Sequence, residues 1–229
     1  MGSETQLHFM VAGKDGDTPL EVTVGKLIIA GWTGCDAAVM EAHIRELEEL
    51  GIARPKATPI FYRVAAALLT TAGAIQVSGA GSSGEAETVV FDVDGGRYVG
   101  VGSDHTDREA EKINVSLSKQ MCAKPVAPTL WRFDDVAGHW DALILRSWAH
   151  EGGNRRLYQE GSVTAMRTPD DLIGLYGGLG AGAAMFGGTL AFAKPVATAA
   201  EAFEVELEDP VLGRKLAHTY CIETLPVEG

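Results

Sequence analysis

This chain is short of the residues that mark several protein classes. Cysteine occurs three times in 229 residues, as Cys35, Cys122 and Cys221, too few and too scattered for a disulfide framework or a cysteine-rich zinc site. A reducing compartment follows, and the cytoplasm is the expected location. Basic residues are also scarce: 19 Lys and Arg stand against 31 Asp and Glu, giving a formal net charge of −12 and a pI near 4.9. Such a surface repels phosphate backbones, and no basic stripe or aromatic stacking platform interrupts it, which argues against nucleic acid as a partner. No apolar run approaches the roughly 20 residues needed to cross a bilayer, so no membrane partner is expected. The first six residues, Met1 to Gln6, lack the basic-then-apolar order of a signal peptide, and Gln6 stands where N-acylation wants Ser or Thr.

What is present is an ordinary core-forming composition, 46 % hydrophobic and 22 % charged, in a chain of 24.2 kDa that can bury one domain over residues 1–229. Alternation and β-branched runs predict strands at Leu7–Ala12, Glu21–Ala30, Ala74–Val77, Glu87–Val93 and Arg97–Val101. Residues 1–20 read as a strand and a loop. Further strands are expected at Ala142–Trp148, at a segment reaching Tyr158–Gln159, and at Ala183–Phe192, Phe203–Leu207 and Lys215–Thr224. Asp94-Gly95-Gly96 is a hairpin turn between the fourth and fifth of these. A helix starts after Asp36, a good N-cap, with apolar residues at Val39, Met40, Ile44, Leu47 and Leu50 and a stop at Gly51. Thr106–Met121 reads as a helix or an irregular helical segment, Pro169–Leu175 as a short helix, and the apolar segment Pro59–Thr71 fits either helix or strand. Long strand runs with few helices make the fold class strand-rich α+β rather than alternating βαβ.

Chemistry concentrates in acidic residues. Glu85 and Glu87 lie two apart at the start of a strand, so both side chains leave the same face, and the hairpin returns the chain to Asp104 beside them. Three carboxylates on one face suit a hard divalent cation that keeps positions open for a substrate. An acidic chain also contains many Glu-x-Glu pairs that only face water, so the rest of the sequence must choose. His43 and Glu46 are three apart on the predicted helix and are therefore surface neighbours, as a base with its orienting partner or as an ordinary pair. Gly79-Ala80-Gly81-Ser82-Ser83-Gly84 admits a rival serine amidase reading with Lys119 as the activating base, and a non-catalytic ligand-binding module is a second rival. His8, His139, His150 and His218 carry no motif, His105 reads as structural, and Trp131, Trp140 and Trp148 read as packing residues.

In order along the chain, these pieces resemble the fumarylacetoacetate hydrolase superfamily, in particular a little-characterised bacterial branch of it. Lys26-Leu27-Ile28-Ile29-Ala30-Gly31, His43-Ile44-Arg45-Glu46, Pro55 and Pro59-Ile60-Phe61-Tyr62-Arg63 follow the family's opening order. Glu85-Ala86-Glu87 and Asp104-His105-Thr106-Asp107-Arg108-Glu109 resemble its metal ligands, and Lys119 with Pro125-Val126-Ala127-Pro128 its active-site lysine and turn. Gln159 and Gly188-Thr189 resemble its substrate-side positions. Trp32-Thr33-Gly34-Cys35-Asp36 departs from the family's Asn-Tyr, and Gly188-Thr189-Leu190-Ala191-Phe192 departs from its Gly-Thr-Pro-x-Gly. The resemblance implies a mixed β-roll, with the helix near residues 36–51 acting as a lid. It also implies Mg²⁺ or Mn²⁺ at Glu85, Glu87 and Asp104, with Ca²⁺ as a stand-in in crystals. It further implies a homodimer that hydrolyses a carbon–carbon bond of a small 2-oxo acid or 1,3-dicarbonyl substrate through a metal-stabilised enolate. Catalytic roles fall on His43, Glu46 and Lys119 and substrate contacts on Arg63, Gln159, Gly188 and Thr189. Decarboxylation, hydration or tautomerisation are the alternatives on the same scaffold.

Overall fold

The computed structural model describes residues 4–14, 16–49 and 54–228. In chain order its elements begin with β1 (Thr5–Gly13), β2 (Gly16–Val24), β3 (Lys26–Gly31), α1 (Ala37–Glu49), β4 (Ile60–Val64), β5 (Leu69–Thr70), β6 (Ala74–Ser78) and β7 (Ser82–Ser83). The centre of the chain forms β8 (Ala86–Val93), β9 (Gly96–Ser103), β10 (Thr106–Asp107), α2 (Arg108–Ile113), α3 (Val115–Met121), β11 (Lys124–Pro125), β12 (Thr129–Arg132) and α4 (Phe133–Ala137). It ends with β13 (Ile144–Glu151), β14 (Asn154–Ser162), α5 (Pro169–Tyr176), β15 (Ala183–Thr189), β16 (Ala202–Asp209) and β17 (Arg214–Leu225). This is the strand-rich α+β architecture expected from the sequence.

Eight strands pair in the order β2-β1-β12-β9-β8-β15-β3-β4, and five in the order β14-β13-β16-β17-β6. Gly25 alone separates β2, at one end of the larger sheet, from β3, next to its other end. A single residue spans under 4 Å, so the sheet must curl until its ends meet. The amides of Gly25 and Lys26 both donate to the Gly182 carbonyl, at 2.9 and 3.2 Å, and mark the point where the chain changes strand. The predicted continuous strand Glu21–Ala30 is therefore two strands, and the predicted N-terminal strand and loop is a hairpin of β1 and β2. Phe9, Val22, Leu27, Tyr62, Val89, Phe91 and Phe186, drawn from both ends and the middle of the larger sheet, share one buried cluster inside the roll. A second cluster, including Val99, Val101, Trp131, Leu145, Val205, Leu207 and Leu216, glues the roll to the five-stranded sheet. Each such side chain contributes about 1.5–3 kcal/mol of apolar transfer.

Two open expectations are resolved. Thr106–Met121 takes the irregular form: Asn114 is extended (φ −162°), ends α2 and caps α3 by accepting from the Leu117 amide at 3.0 Å. Asn bonds nearby backbone groups better than it sustains a helix interior, so the break follows from its chemistry. Pro59–Thr71 resolves into β4, one 3₁₀ turn at Ala66–Leu68, and β5. Asp36 caps α1 as expected, accepting from the Ala38 amide at 2.8 Å. The predicted stop at Gly51, with Leu50 before it, lies outside the described residues, as do the side chains of Val39 and Leu47.

Candidate active site

The hairpin of β8 and β9 builds the site. Asp94 and Gly95 form its two-residue turn, with Gly95 at φ +100°, and pairing runs from Val93↔Gly96 to Ala86↔Ser103 at the open end. The Asp104 amide donates to the Glu85 carbonyl at 2.9 Å, which extends the pairing by one rung and sets Asp104 beside the Glu-x-Glu pair. One oxygen from each of Glu85, Glu87 and Asp104 lies within 4.8 Å of the others, and the residues are 9 %, 2 % and 0 % exposed. Three carboxylates this close and this dry need compensating charge.

The compensation comes from three cations. Lys119 Nζ donates to Asp104 Oδ2 and lies 3.8 Å from Glu85 Oε2. Arg108 sits 3.1 Å from Glu85 Oε1 and donates to Glu111 at 3.0 Å. Lys124 is fully buried, 3.1 Å from Asp104 Oδ1, and donates to the His105 carbonyl at 2.6 Å. Burial by itself raises a carboxyl pKa; at Asp104 the two lysines outweigh it and hold the group below its ordinary value. At Glu87 burial and the neighbouring Asp104 charge win, and its pKa stands well above normal despite Lys119 and the Gly188 amide. Burial depresses an amine, yet the three carboxylates raise Lys119, whereas for Lys124 burial and the nearby Lys119 charge prevail and its pKa is lowered.

The donor set fits a divalent cation. Asp104 Oδ1 is buried and makes no hydrogen bond of its own, with Lys124 Nζ standing 3.1 Å away. Glu87 Oε2 accepts from the Gly188 amide at 2.8 Å, which leaves its other oxygen for a ligand. Three hard oxygens on one side are what Mg²⁺, Mn²⁺ or Ca²⁺ takes, with water or substrate filling the rest.

Among the other predicted site residues, His43 and Glu46 lie in α1, but their side chains are outside the described residues. Arg63 is exposed; the neighbouring Tyr62, on the opposite face of β4, is buried with its ring centroid 5.7 Å from Lys119 Nζ. Strand alternation thus turns the arginine away from the lysine and presents the tyrosine. Gln159, Gly188 and Thr189 converge on the Glu-x-Glu segment: Gln159 accepts from the Ala86 amide at 2.9 Å, and Thr189 donates to the Ala86 carbonyl at 2.8 Å. Sequence reasoning gave no role to Tyr62, Arg108 or Lys124. For Lys124, a single lysine between Ala123 and Pro125, the sequence offered no signal.

The serine reading finds no base. His105 Nε2 pairs with Ser82 Oγ at 2.9 Å, and its Nδ1 pairs at 3.0 Å with Tyr220, which donates to Ser103 at 2.8 Å. Burial, helped by Lys124 and Arg108, pushes the His105 pKa down to about 3, too low for a useful base near neutral pH. Ser83 pairs with Tyr158 at 3.0 Å, and Lys119 is engaged by carboxylates. Both serines are struts, and His105 is structural.

Residues 30–220 match the model of a family described as "Protein of unknown function (DUF2848)", and the chain belongs to that family. No curated protein sequence matches significantly. Among solved structures, Cg1458 aligns at TM-score 0.62 and 13 % identity, covering 97 % of this chain and all of the other. A 2-keto-3-deoxy-D-arabinonate dehydratase complexed with magnesium and 2,5-dioxopentanoate aligns at 0.59 and 15 %, covering 88 % of this chain and 74 % of the other. The 4-oxalocrotonate decarboxylase of Pseudomonas putida G7, complexed with calcium and acetate, aligns at 0.54 and 13 %, covering 86 % and 76 %. At these identities the likeness is one of fold, and it is the fold that the sequence resemblance implied.

Proposed function

From the buried carboxylate cluster and the company this fold keeps, we propose that the chain is a divalent-metal-dependent enzyme of the fumarylacetoacetate hydrolase superfamily. It cleaves a carbon–carbon bond in a small 2-oxo acid or 1,3-dicarbonyl compound. The single observation that carries this reading is the convergence of Glu85, Glu87 and Asp104 within 4.8 Å, at the open end of one hairpin. When bound there, Mg²⁺ or Mn²⁺ supplies positive charge for the substrate oxygens and lowers the cost of the negative charge that appears on them.

The protein's own residues do the rest. Lys119, kept protonated by the carboxylates around it, is a donor rather than a base and offers its ammonium to a substrate oxygen as charge develops. Arg108 and Lys124 hold Glu85 and Asp104 from the side. Tyr62 gives the lysine an apolar wall that keeps water from its flank. For hydrolysis, His43 takes a proton from the attacking water while Glu46, one turn along α1, orients the ring. The protein works as a cytoplasmic homodimer, which light scattering after size exclusion would check.

The dehydratase and decarboxylase among the structural neighbours favour a second reading, in which the same carboxylates and Lys119 serve dehydration or decarboxylation without an activated water. A panel of 2-oxo acids and 1,3-dicarbonyls incubated with Mn²⁺ in ¹⁸O-water separates the two. Hydrolysis places the label in a product carboxylate and stops in His43→Ala, whereas a lyase leaves the product carboxylates unlabelled and survives that change. Absence of turnover together with no Mn²⁺-dependent rise in Tm would refute both.

A further inference from the structure

Two glutamates bind one cation only if the residue between them holds its orientation, and both backbone groups of that residue are gripped here. Ala86 stands between Glu85 and Glu87. Its amide donates to Gln159 Oε1 at 2.9 Å, and its carbonyl accepts from Thr189 Oγ1 at 2.8 Å. Thr189 Oγ1 in turn accepts from Gln159 Nε2 at 2.7 Å, which closes a ring through the amide, the Ala86 backbone and the hydroxyl. The rest of Gln159 is also used: Oε1 accepts from Ser147 Oγ at 2.8 Å, and Nε2 donates to the Leu190 carbonyl at 2.7 Å. A side-chain amide has two acceptor and two donor positions, and all four are filled at 2 % exposure. Nothing is left to offer a substrate.

The next residue completes the grip. The Gly188 amide donates to Glu87 Oε2 at 2.8 Å from a backbone at φ +93°, where a Cβ would lie 1.9 Å from Thr33 Oγ1. Only glycine brings an amide this close. The partners come from both sheets: Ser147 on β13 and Gln159 on β14 belong to the five-stranded one, Ala86 on β8 and Thr189 on β15 to the larger one.

We propose that Gln159 and Thr189 are positioning residues rather than substrate contacts: together they clamp the Ala86 backbone so that the packing of the two sheets sets the aim of Glu85 and Glu87. The bracket's effect on a cation rests on the metal reading of the triad; its geometry does not. Partners that orient metal ligands commonly govern affinity by 10- to 100-fold.

The test measures the Mn²⁺ dissociation constant by electron paramagnetic resonance and the hydrogen exchange of the Ala86 amide in metal-free protein. Thr189→Val and Gln159→Met each weaken Mn²⁺ by about tenfold or more. Their double variant is little worse than either alone, because the ring is shared. Thr189→Ser, which keeps the hydroxyl, restores affinity, and Val22→Ala, a truncation in the other core cluster, which holds no residue of the bracket, lowers Tm without moving it. Ala86 exchanges about tenfold faster in Thr189→Val and Gln159→Met. Wild-type Mn²⁺ affinity and wild-type Ala86 protection in both variants, with only Tm reduced, would overturn the proposal. If the wild-type protein binds no Mn²⁺, the metal reading fails separately, and Ala86 exchange alone decides the bracket: acceleration upholds it, no change sinks it.

Discussion

The hairpin end that carries Glu85, Glu87 and Asp104 and the helix α1 that carries His43 and Glu46 are anchored by opposite means. In the hairpin the functional side chains are buried and tied to Lys119, Lys124, Arg108 and the Gly188 amide. In α1 the described ion pairs join Glu41 to Arg45 and Arg54, and Glu48 to Arg54, with every partner at least 40 % exposed. Exposed pairs are screened and contribute little, whereas a buried charge without its partner is costly. The carboxylate end is therefore fixed before any ligand arrives. The helix, with Ile44 as its buried residue among those described, is held by exposed pairs instead.

The contrast can be broken most severely at the carboxylates. Glu87→Ala or Asp104→Ala should weaken Mn²⁺ by about a hundredfold or more and abolish the metal-dependent rise in Tm, whereas Glu41→Ala should do neither. Equal losses in Glu41→Ala by titration calorimetry would remove the distinction. Next in size, Lys124→Met leaves the Asp104 carboxylate buried with one partner fewer. Breaking such a pair costs about 3 kcal/mol, roughly 6–12 °C in Tm for a chain of this length, and a melting curve reads it directly.

A smaller effect is set by pH. Glu87 binds its proton more tightly folded than unfolded, its pKa lying above the ordinary 4.5. Its stabilising contribution to the metal-free protein is thus fully present below that value and is lost as pH rises through the folded pKa. A cation must displace the same proton, so Mn²⁺ affinity rises over that window, by up to about tenfold per pH unit for one proton released. Glu87→Gln should flatten the Glu87 part of the stability slope, and an unchanged slope would assign it to another group. Smallest of all, Arg54→Ala should leave Tm and Mn²⁺ affinity unchanged, since its pairs lie at the solvent-exposed surface.

Much of the carboxylate end was legible from spacing: Asp94-Gly95 forms the turn, residues two apart share a face, and the returning strand delivers Asp104 to Glu85. The side on which Arg63 lies was not legible because the Pro59–Thr71 segment gave no clear period, and without a period the inward face of a strand is undefined; it is Tyr62 that faces Lys119. Gln159 was singled out by order alone, and order does not reveal that Ala86, Ser147, Thr189 and Leu190 exhaust its hydrogen bonds. Lys124 escaped because a single buried lysine has no sequence signature; only its distances to Asp104 and His105 identify it.

By itself the sequence determined the strand-rich class, the hairpin, the common face of Glu85 and Glu87 and the acidic, cysteine-poor character of the chain, because turn chemistry, side-chain period and composition act within a few residues. Tertiary structure alone decided the curl that brings β2 to β3, the two-lysine hold on Asp104 and the grip on Ala86. Those features depend on which distant strands become neighbours, and that is settled by how the two sheets bury their apolar faces together.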